Sequence, residues 1–307
     1  MKLGIHLPQM GPHSTRAMVL AFAQRAEALG YDSLWVSDHV VIPYHIASRY
    51  PGSAEGRFPM PPQTDFLDPL LLLATVAACT ERVQLGLSVL VLPHRHPVVT
   101  AKMLATLDRL CNGRLLVGTG VGWMREELEA LGAPYAQRGA LSDEYLEAMI
   151  ALWREEQPSY QGRFVRFPPL GCYPKPVQQP HPPLLIGGHS PAALRRAARF
   201  GQGWHAVEAS PEEIAALRQR LHEEMRRHGR DPATMDISLR ATFRLTDTPL
   251  PAPRPPLHGS AAQLIEDLRA YAQAGVDHLA LFFAMGRRSD PLAVLERLAT
   301  EVLPACR

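Results

Sequence analysis

The sequence lacks several features that mark other classes of protein. It has four cysteines and no CxxC pair, which argues against a redox dithiol or a cysteine-based zinc site. No window approaches about 20 uninterrupted apolar residues, so we expect no transmembrane helix. The first residues, MKLGIHLPQ, lack the regions of a secretory signal, and we expect a cytoplasmic protein. Two of the cysteines, Cys79 and Cys111, are predicted to be small core residues.

Charge and short motifs exclude further classes. The formal net charge is +2 at pH 7 and no basic run is interleaved with aromatic residues, so neither nucleic acid nor a membrane surface is an expected partner. No GxSxG motif is present, which argues against a serine hydrolase. His94-Arg95-His96 lies in a proline-flanked loop, so we expect no metal site. Arg95 is a candidate contact for a cofactor tail or a substrate.

What the sequence does contain is a β-α-β pattern, clearest between residues 83 and 123. The apolar run 83–89 is followed by a proline-containing loop, by an amphipathic helix that stops at Asn112-Gly113, and by a second apolar run at 114–117. Strands joined through a helix lie parallel with a right-handed connection, so both end at the same side of the sheet. Ser88-Val89 and residues 118–122 are therefore expected at one rim.

The pattern recurs along the chain, where a helix, a glycine, two residues and a strand follow one another near Gly30, Gly201 and Gly275. Strands are predicted near residues 3–8, 33–37, 83–89, 114–118, 183–187, 203–207, 236–243 and 278–283. Helices are predicted near 14–29, 66–79, 98–111, 140–154, 190–200, 211–228, 260–274 and 290–302. Eight such units in 307 residues indicate an α/β fold, a single (β/α)8 TIM barrel domain covering residues 1–307.

Three long intervals rich in proline and glycine interrupt the repeat. They are residues 40–65, 155–182 and 244–259, after strands two, four and seven, and the second contains a predicted hairpin that turns at Gln161-Gly162. The first and third start at strand C-termini, where barrel enzymes place substrate and lid loops, so we expect insertions at the C-terminal rim. The first interval supplies residues for an apolar lid over a moderately hydrophobic substrate: Tyr44, Tyr50, Phe58, Pro59 and Met60.

Candidate site residues lie at the ends of predicted strands. Asp38 and His39 close the second strand. A histidine there can exchange a proton with a bound ring, so His39 is a candidate catalytic residue; the alternative is a packed histidine oriented by Asp38. Gly118, Gly120 and Gly122 alternate along the end of the fourth strand, which leaves one face bare and lets a flat ligand approach the backbone. The pattern is not GxGxxG, so a Rossmann site is not indicated.

Gly187-Gly188-His189-Ser190 joins the fifth strand to a helix that begins PAALRRAAR. Free backbone N–H groups and a serine hydroxyl at a helix N-terminus bind phosphate well, although Ser190 is equally explained as a plain N-cap. Arg195 and Arg196 are predicted to be charges on the face of this helix.

Several motifs along nearly the whole chain act together as a family signature. They are SDHVVIP, ASRYP, GRFP, LATLDRL, YPKPVQ, the glycine run at 118–122 and IGGHSPAALRRAARFGQGW. With these motifs the sequence resembles the bacterial luciferase-like superfamily, and more narrowly its branch of oxidoreductases that depend on the deazaflavin coenzyme F420. The resemblance implies a (β/α)8 barrel, usually dimeric, that binds F420 or FMN at its C-terminal rim.

The resemblance also implies roles for individual residues. It places His39 beside the deazaflavin and the substrate, makes Ser88-Val89 a non-proline cis peptide behind the ring, and places a phosphate after the fifth strand. The expected catalytic residues are His39 and Asp38. The expected cofactor-binding residues are His39, Ser88, Val89, Thr119, Gly120, Gly122, Gly187, Gly188, His189 and Ser190.

Trp123 departs from the family pattern, because some F420-dependent dehydrogenases have a glutamate acid at or near this point. Glu126 and Glu127 follow within one helical turn and are candidates to replace it. The preferred interpretation is that both are solvated acids at the start of a helix.

Four functions follow from these features. The first is an F420-dependent oxidoreductase that moves hydride between the deazaflavin and a small molecule. The second is an FMN-dependent monooxygenase that receives reduced flavin from a separate reductase. A non-catalytic flavin-binding protein and a metal-dependent barrel hydrolase are the remaining alternatives. A homodimer is expected from the resemblance.

Overall fold

Eight parallel strands form a closed barrel in the described part of the chain, which in this computed structural model comprises residues 1–53, 55–283 and 290–306. The strands are β1 (Lys2–His6), β2 (Ser33–Val36), β3 (Gln84–Val91), β4 (Leu115–Gly120), β5 (Leu184–Gly187), β6 (Gly203–Val207), β7 (Asp236–Thr242) and β8 (His278–Phe282). Each pairs in parallel with the next, and β8 pairs with β1. The predicted (β/α)8 barrel is confirmed.

Helices follow the barrel strands, as predicted. They are α1 (Arg16–Leu29), α2 (Pro69–Ala77), α3 (Pro97–Leu110), α4 (Arg125–Ala130), α5 (Arg138–Arg154), α6 (Pro191–Phe200), α7 (Pro211–Arg227), α8 (Ala261–Ala274) and α9 (Pro291–Glu301). The predicted bounds agree with these within a few residues. The sequence analysis missed α4, because its six residues, REELEA, are too few to show a helical period.

A tryptophan fills the interior of the barrel. Trp35 is fully buried, and its ring stacks on His205 with 5.3 Å between the ring centroids. A Cβ added at Gly4 would lie 2.4 Å from Trp35 Nε1, and one at Gly86 would lie 2.2 Å from Trp35 Cε3. Both glycines therefore leave room for this ring.

The insertions lie at both ends of the barrel. Residues 40–66, which we call the lid segment, leave the C-terminal end of β2, and residues 243–260 leave that of β7. Residues 155–182 instead connect the end of α5 to the start of β5, so they begin and end at the opposite, N-terminal end of the strands. They contain the predicted hairpin, in which Tyr160–Gln161 pairs antiparallel with Arg166–Phe167.

One prediction about the helix surfaces is wrong. Arg196 is buried, because its side of α6 packs towards α5; its Nε donates to Asp143 Oδ1 at 2.6 Å and its Nη2 donates to the carbonyl of Gly139 at 3.1 Å. Arg195 is exposed, as predicted.

Cys111 is a buried core residue and Cys79 packs against the core. Among the described helices, none is both long and apolar enough to cross a membrane.

Candidate active site

An apolar cavity of about 340 Å³ opens at the C-terminal end of the barrel, where the lid segment covers the strand ends. Its walls combine aromatic and aliphatic side chains with two basic ones, His39 and Arg240. The lining residues are Met10, Gly11, Pro12, Ser37, His39, Tyr50, Phe58, Pro59, Met60, Thr64, Phe66, Arg240, Phe282 and Phe283. A cavity with this lining suits a small, largely apolar molecule.

His39 is held by a carboxylate from α4. Its Nδ1 lies 2.7 Å from Oε2 of Glu127, whose side chain is only 1% exposed. The other oxygen, Oε1, accepts hydrogen bonds from the backbone N–H groups of Val40 at 2.7 Å and Val41 at 3.2 Å. No partner for Nε2 of His39 is found among the described residues, and the imidazole lines the cavity. His39 can therefore exchange a proton with a molecule in the cavity through Nε2.

Two interpretations of this region from the sequence are wrong. Glu127 is buried and not solvated, and Asp38 is not the residue that orients His39. Glu126 is half-buried, and its Oε1 accepts hydrogen bonds from the N–H groups of Ala47 at 2.9 Å and Ser48 at 3.1 Å. The adjacent acids at the start of α4 were visible in the sequence, but it did not show that the lid segment runs over this helix.

Burial and hydrogen bonding act in opposite directions on Glu127. Burial opposes its charged form, but the hydrogen bond from His39, electrostatic interaction with the imidazoles of His39 and His94, and the backbone N–H of Val40 hold the pKa of Glu127 below its ordinary value. Glu127 is thus a carboxylate near neutral pH. A carboxylate only accepts hydrogen bonds, which fits the three donors that surround it.

Asp38 forms a separate buried ion pair behind His39. Arg95 donates to both of its oxygens, at 2.8 and 3.0 Å, and also donates to Asp68 at 2.9 Å. His94 lies between the two carboxylates, with Nδ1 3.5 Å from Asp38 and Nε2 3.7 Å from Glu127. Burial opposes ionisation of Asp38, but the nearby His94 and the hydrogen bonds from Arg95 lower its pKa to about 2. Asp38 is not among the cavity-lining residues, and its predicted catalytic role stays a prediction.

Aromatic rings surround the imidazole of His39. The ring centroid of Phe58 lies 5.0 Å from that of His39, the centroid of Phe66 lies 5.6 Å away, and that of Trp123 lies 6.3 Å away. Trp123 also contacts Tyr50, at 5.0 Å between centroids. Of the five residues predicted to form the lid, four line the cavity, but Tyr44 is 76% exposed and points away, so its assignment was wrong.

Ser88 and Val89 lie beside the cavity. The peptide bond between them is cis, as the resemblance implies, and the pairing of β3 with β4 shifts register at this point. Ser88 Oγ and His205 Nε2 are 2.8 Å apart. Ser37, which lines the cavity, places its Oγ 3.5 Å from the carbonyl oxygen of Ser88. The end of β3 therefore borders the cavity.

The glycines of β4 and β5 make room for Val89. A Cβ at Gly118 would lie 1.9 Å from the carbonyl oxygen of Leu87, one at Gly120 would lie 2.7 Å from Val89 Cγ2, and one at Gly187 would lie 3.1 Å from Val89 Cγ1. The prediction that alternating glycines leave a bare strand face is therefore wrong, because Leu87 and Val89 occupy that space. Val89 is itself half-buried.

The loop between β5 and α6 keeps the features expected of a phosphate site. Gly188 has φ of +109°, and Ser190 caps α6 by accepting a hydrogen bond from the N–H of Ala193 at 3.2 Å. His189 Nε2 accepts a hydrogen bond from the N–H of Val207 at 3.1 Å, so its Nδ1 is the protonated nitrogen of the neutral ring. Burial lowers the pKa of His189.

These residues fit a flavin-type cofactor. We call Ser88, Val89, Thr119, Gly120, Gly187 and Gly188 the ledge. Thr119 Oγ1 is buried without a hydrogen-bond partner among the described residues, and the glycines on either side of Thr119 face Val89. The helix N-terminus at Ser190 supplies N–H groups for a phosphate. Among the predicted cofactor-binding residues, His39 is the one found in the described lining of the cavity, and the ledge adjoins it through Ser37.

Arg240 closes the cavity on the side of β7. Its Nη1 donates to Glu208 Oε1 at 2.9 Å, and its guanidinium carbon lies 4.2 Å from the ring centroid of Phe282. The buried His6 packs edge-on against Phe282, with 5.2 Å between ring centroids. The sequence analysis missed Arg240, because nothing in the β7 pattern separates a rim arginine from a surface one.

Comparison of the sequence with models of known protein families shows which family this chain belongs to. The model of the luciferase-like monooxygenase family matches residues 1–254. The chain belongs to this family. The structure agrees, since it has the closed barrel and, at the end of β3, the cis peptide that the resemblance implies.

Curated relatives in this family use both kinds of cofactor. An uncharacterized protein of Mycobacterium tuberculosis is 38% identical over 185 residues, which is 60% of this chain and 65% of the relative. The F420-dependent glucose-6-phosphate dehydrogenase of Kineococcus radiotolerans is 31% identical over 71% of this chain and 62% of its own. The FMNH2-dependent dimethylsulfone monooxygenase of Pseudomonas putida is 34% identical over 45% of this chain and 39% of its own. The matches thus span at most about two-thirds of these relatives.

Solved structures share the fold. A monooxygenase from Streptomyces bottropensis superposes with a TM-score of 0.79 at 24% identity, and the match covers 100% of both chains. An F420-dependent secondary alcohol dehydrogenase gives the same TM-score, 0.79, at 19% identity and the same coverage.

Proposed function

We propose that this protein is an F420-dependent oxidoreductase that moves hydride between the deazaflavin and a moderately hydrophobic small molecule. The observation that carries the proposal is the pairing of His39 with Glu127 at an apolar cavity that borders the ledge. Such a pair suits a reaction in which a proton and a hydride leave or join the same substrate. The relative with F420-dependent glucose-6-phosphate dehydrogenase activity supports the choice of cofactor.

The ledge and the β5–α6 loop would hold the cofactor. Val89 would support the ring from one face, the backbone of Thr119 and Gly120 would border its edge, and Ser190 with the N-terminal end of α6 would bind its phosphate. When bound, the deazaflavin supplies hydride transfer.

His39 handles the proton in this proposal. In the oxidation of an alcohol, Nε2 of His39 would accept the proton of the O–H bond, and the bound deazaflavin would supply the acceptor for the hydride of the C–H bond. Glu127 holds Nδ1 and compensates the positive charge that forms. In the opposite direction, the protonated imidazole returns the proton to oxygen. The side chains of Phe58, Phe66 and Trp123 exclude water from around the imidazole ring of His39.

An FMN-dependent monooxygenase is the second candidate. It is favoured by the 34% identity to an FMNH2-dependent dimethylsulfone monooxygenase. That function would need a separate reductase to supply reduced flavin.

A homodimer is proposed for either function, and light scattering on the purified protein tests it.

Binding of the two cofactors to the purified protein tests the choice between them. We expect F420 to bind tightly in a titration followed by its fluorescence, and FMN to bind at least tenfold more weakly (about 1.4 kcal/mol). Tight FMN binding without F420 binding would contradict the F420-dependent oxidoreductase and support the FMN-dependent monooxygenase.

A further inference from the structure

The carboxylate of Glu127 connects two parts of the site that are far apart in the sequence. Oε2 contacts His39 Nδ1 at 2.7 Å, and Oε1 accepts the N–H groups of Val40 and Val41, the first two residues of the lid segment. The next acid, Glu126, binds the N–H groups of Ala47 and Ser48 further along the same segment. The start of α4 thus fixes both the imidazole and the first turn of the lid segment.

The chemistry of a carboxylate decides which nitrogen of His39 carries the proton. A carboxylate only accepts hydrogen bonds, so Nδ1 of the neutral imidazole must be protonated where it meets Glu127. The lone pair of the neutral ring is then on Nε2, the nitrogen without a partner among the described residues. Asp38 is held by Arg95, and His94 lies 3.5 Å from Asp38 and 3.7 Å from Glu127; no hydrogen bond from Asp38 or His94 to His39 is found among the described residues.

We propose that Glu127 is a positioning residue: it reserves Nε2 of His39 for proton exchange with the substrate, and does so only while the lid segment is docked on α4. The proposal rests on the proposed function in assigning the proton step to His39, and it goes further in making the base depend on the lid. When a substrate O–H gives its proton to Nε2, the Nδ1–H bond stays intact and its hydrogen bond to Glu127 becomes an ion pair. No other proton moves.

The lid dependence follows from the shared carboxylate. Undocking residues 40–48 removes two of the three donors to Glu127. Glu127 would then meet water, and its hydrogen bond with the imidazole of His39 would weaken. Closing the lid over a substrate therefore assembles the base at the moment it is needed.

A pair of adjacent glutamates gives the test its control. In Glu127→Gln, the amide oxygen stays with the N–H groups of Val40 and Val41, so the NH2 group faces His39 and forces Nδ1 to accept. The neutral imidazole then carries its proton on Nε2. Glu126→Gln removes a charge from the same helix start and changes an acceptor for Ala47 and Ser48, away from His39.

Nitrogen NMR of the protein without cofactor reads the tautomer directly. In protein with 15N-labelled histidine, the signals of His39 are identified by their loss in His39→Asn. We expect the wild type and Glu126→Gln to show neutral His39 protonated on Nδ1, and Glu127→Gln to show it protonated on Nε2. A wild-type His39 protonated on Nε2, or an unchanged tautomer in Glu127→Gln, would overturn the proposal. Neither result depends on which cofactor binds.

Exchange and turnover test the remaining parts. Hydrogen exchange at Val40 and Val41 should quicken at least tenfold in Glu127→Ala, which removes the acceptor of both N–H groups, and exchange at Ala47 and Ser48 should quicken in Glu126→Ala. With the cofactor chosen by titration, kcat of Glu127→Gln should fall by about 100-fold or more, with cofactor affinity changed by less than threefold. An equal loss of affinity and kcat would show a merely structural role and would refute the positioning role.

Discussion

Asp38 and His39 are neighbours in the sequence, yet they serve different parts of the site. His39 faces the cavity and meets Glu127, while Asp38 faces Arg95 and the backbone of Val91. Alternation of side chains at a strand end already indicates that adjacent residues point apart. The sequence therefore identified the histidine but could not identify its partner, which lies 88 residues away on a helix too short to show a period.

Replacing His39 separates chemistry from binding. We expect His39→Asn to lower turnover by about 100-fold or more, because no other side chain in the described cavity lining takes its place as a base beside the ledge. Cofactor affinity should change by less than threefold. The exposed His228 gives the control, and His228→Asn should match the wild type in steady-state kinetics. A comparable loss of affinity and turnover would favour a binding role for His39.

The positions of strands and helices can be predicted from apolar periodicity. The structural role of an individual residue within a strand or helix cannot. The glycines of β4 were predicted to be bare, whereas Gly120 accommodates Val89 from the end of β3. A glycine shows that space is needed and does not show what fills it. The same holds for Gly4 and Gly86, whose partner, Trp35, lies on the strand between theirs.

Gly86→Ala tests this packing within β3. A Cβ there would lie 2.2 Å from a fully buried Trp35 ring that cannot move aside without disturbing His205. We expect overpacking to lower the free energy of unfolding by about 1–3 kcal/mol, measured by urea denaturation. Gly171→Ala is the matched control, because its Cβ would be in ordinary contact with Tyr173 at 3.9 Å. A Gly86→Ala variant as stable as Gly171→Ala would contradict the packing described.

The closed barrel could be predicted from the sequence because each β-α unit shows its own local pattern. The contacts inside the barrel could not be predicted, because they join residues that are far apart in the sequence. Short strands, helices and glycine turns recur at spacings that the sequence displays, so the eightfold count needed no tertiary information. The interior combines groups from all around the barrel: Ser33 Oγ lies 2.6 Å from His278 Nε2, and His205 Nδ1 lies 2.7 Å from Ser238 Oγ. Single histidines in apolar strands gave no sign of this network.

The interior histidines make stability depend on pH. Burial first, and nearby positive charges second, lower the pKa of His205 and of His278 to about 3 in the folded protein. Their pKa is about 6.5 in an unfolded chain, so between these values the unfolded chain binds protons that the folded chain does not. The stability that they contribute is therefore complete above pH 6.5 and is lost as pH falls through this window.

For these two groups together the free energy of unfolding should fall by about 2 kcal/mol between pH 6 and pH 5. Urea denaturation at pH 7, 6 and 5 measures this change. His278→Gln should reduce this fall by about 1 kcal/mol, because it removes one titrating group, whereas the exposed His228→Gln should leave the pH dependence as in the wild type. A free energy of unfolding that stays constant from pH 7 to pH 5 would show that the two imidazoles are protonated inside the barrel. That result would contradict a closed, apolar interior around Trp35.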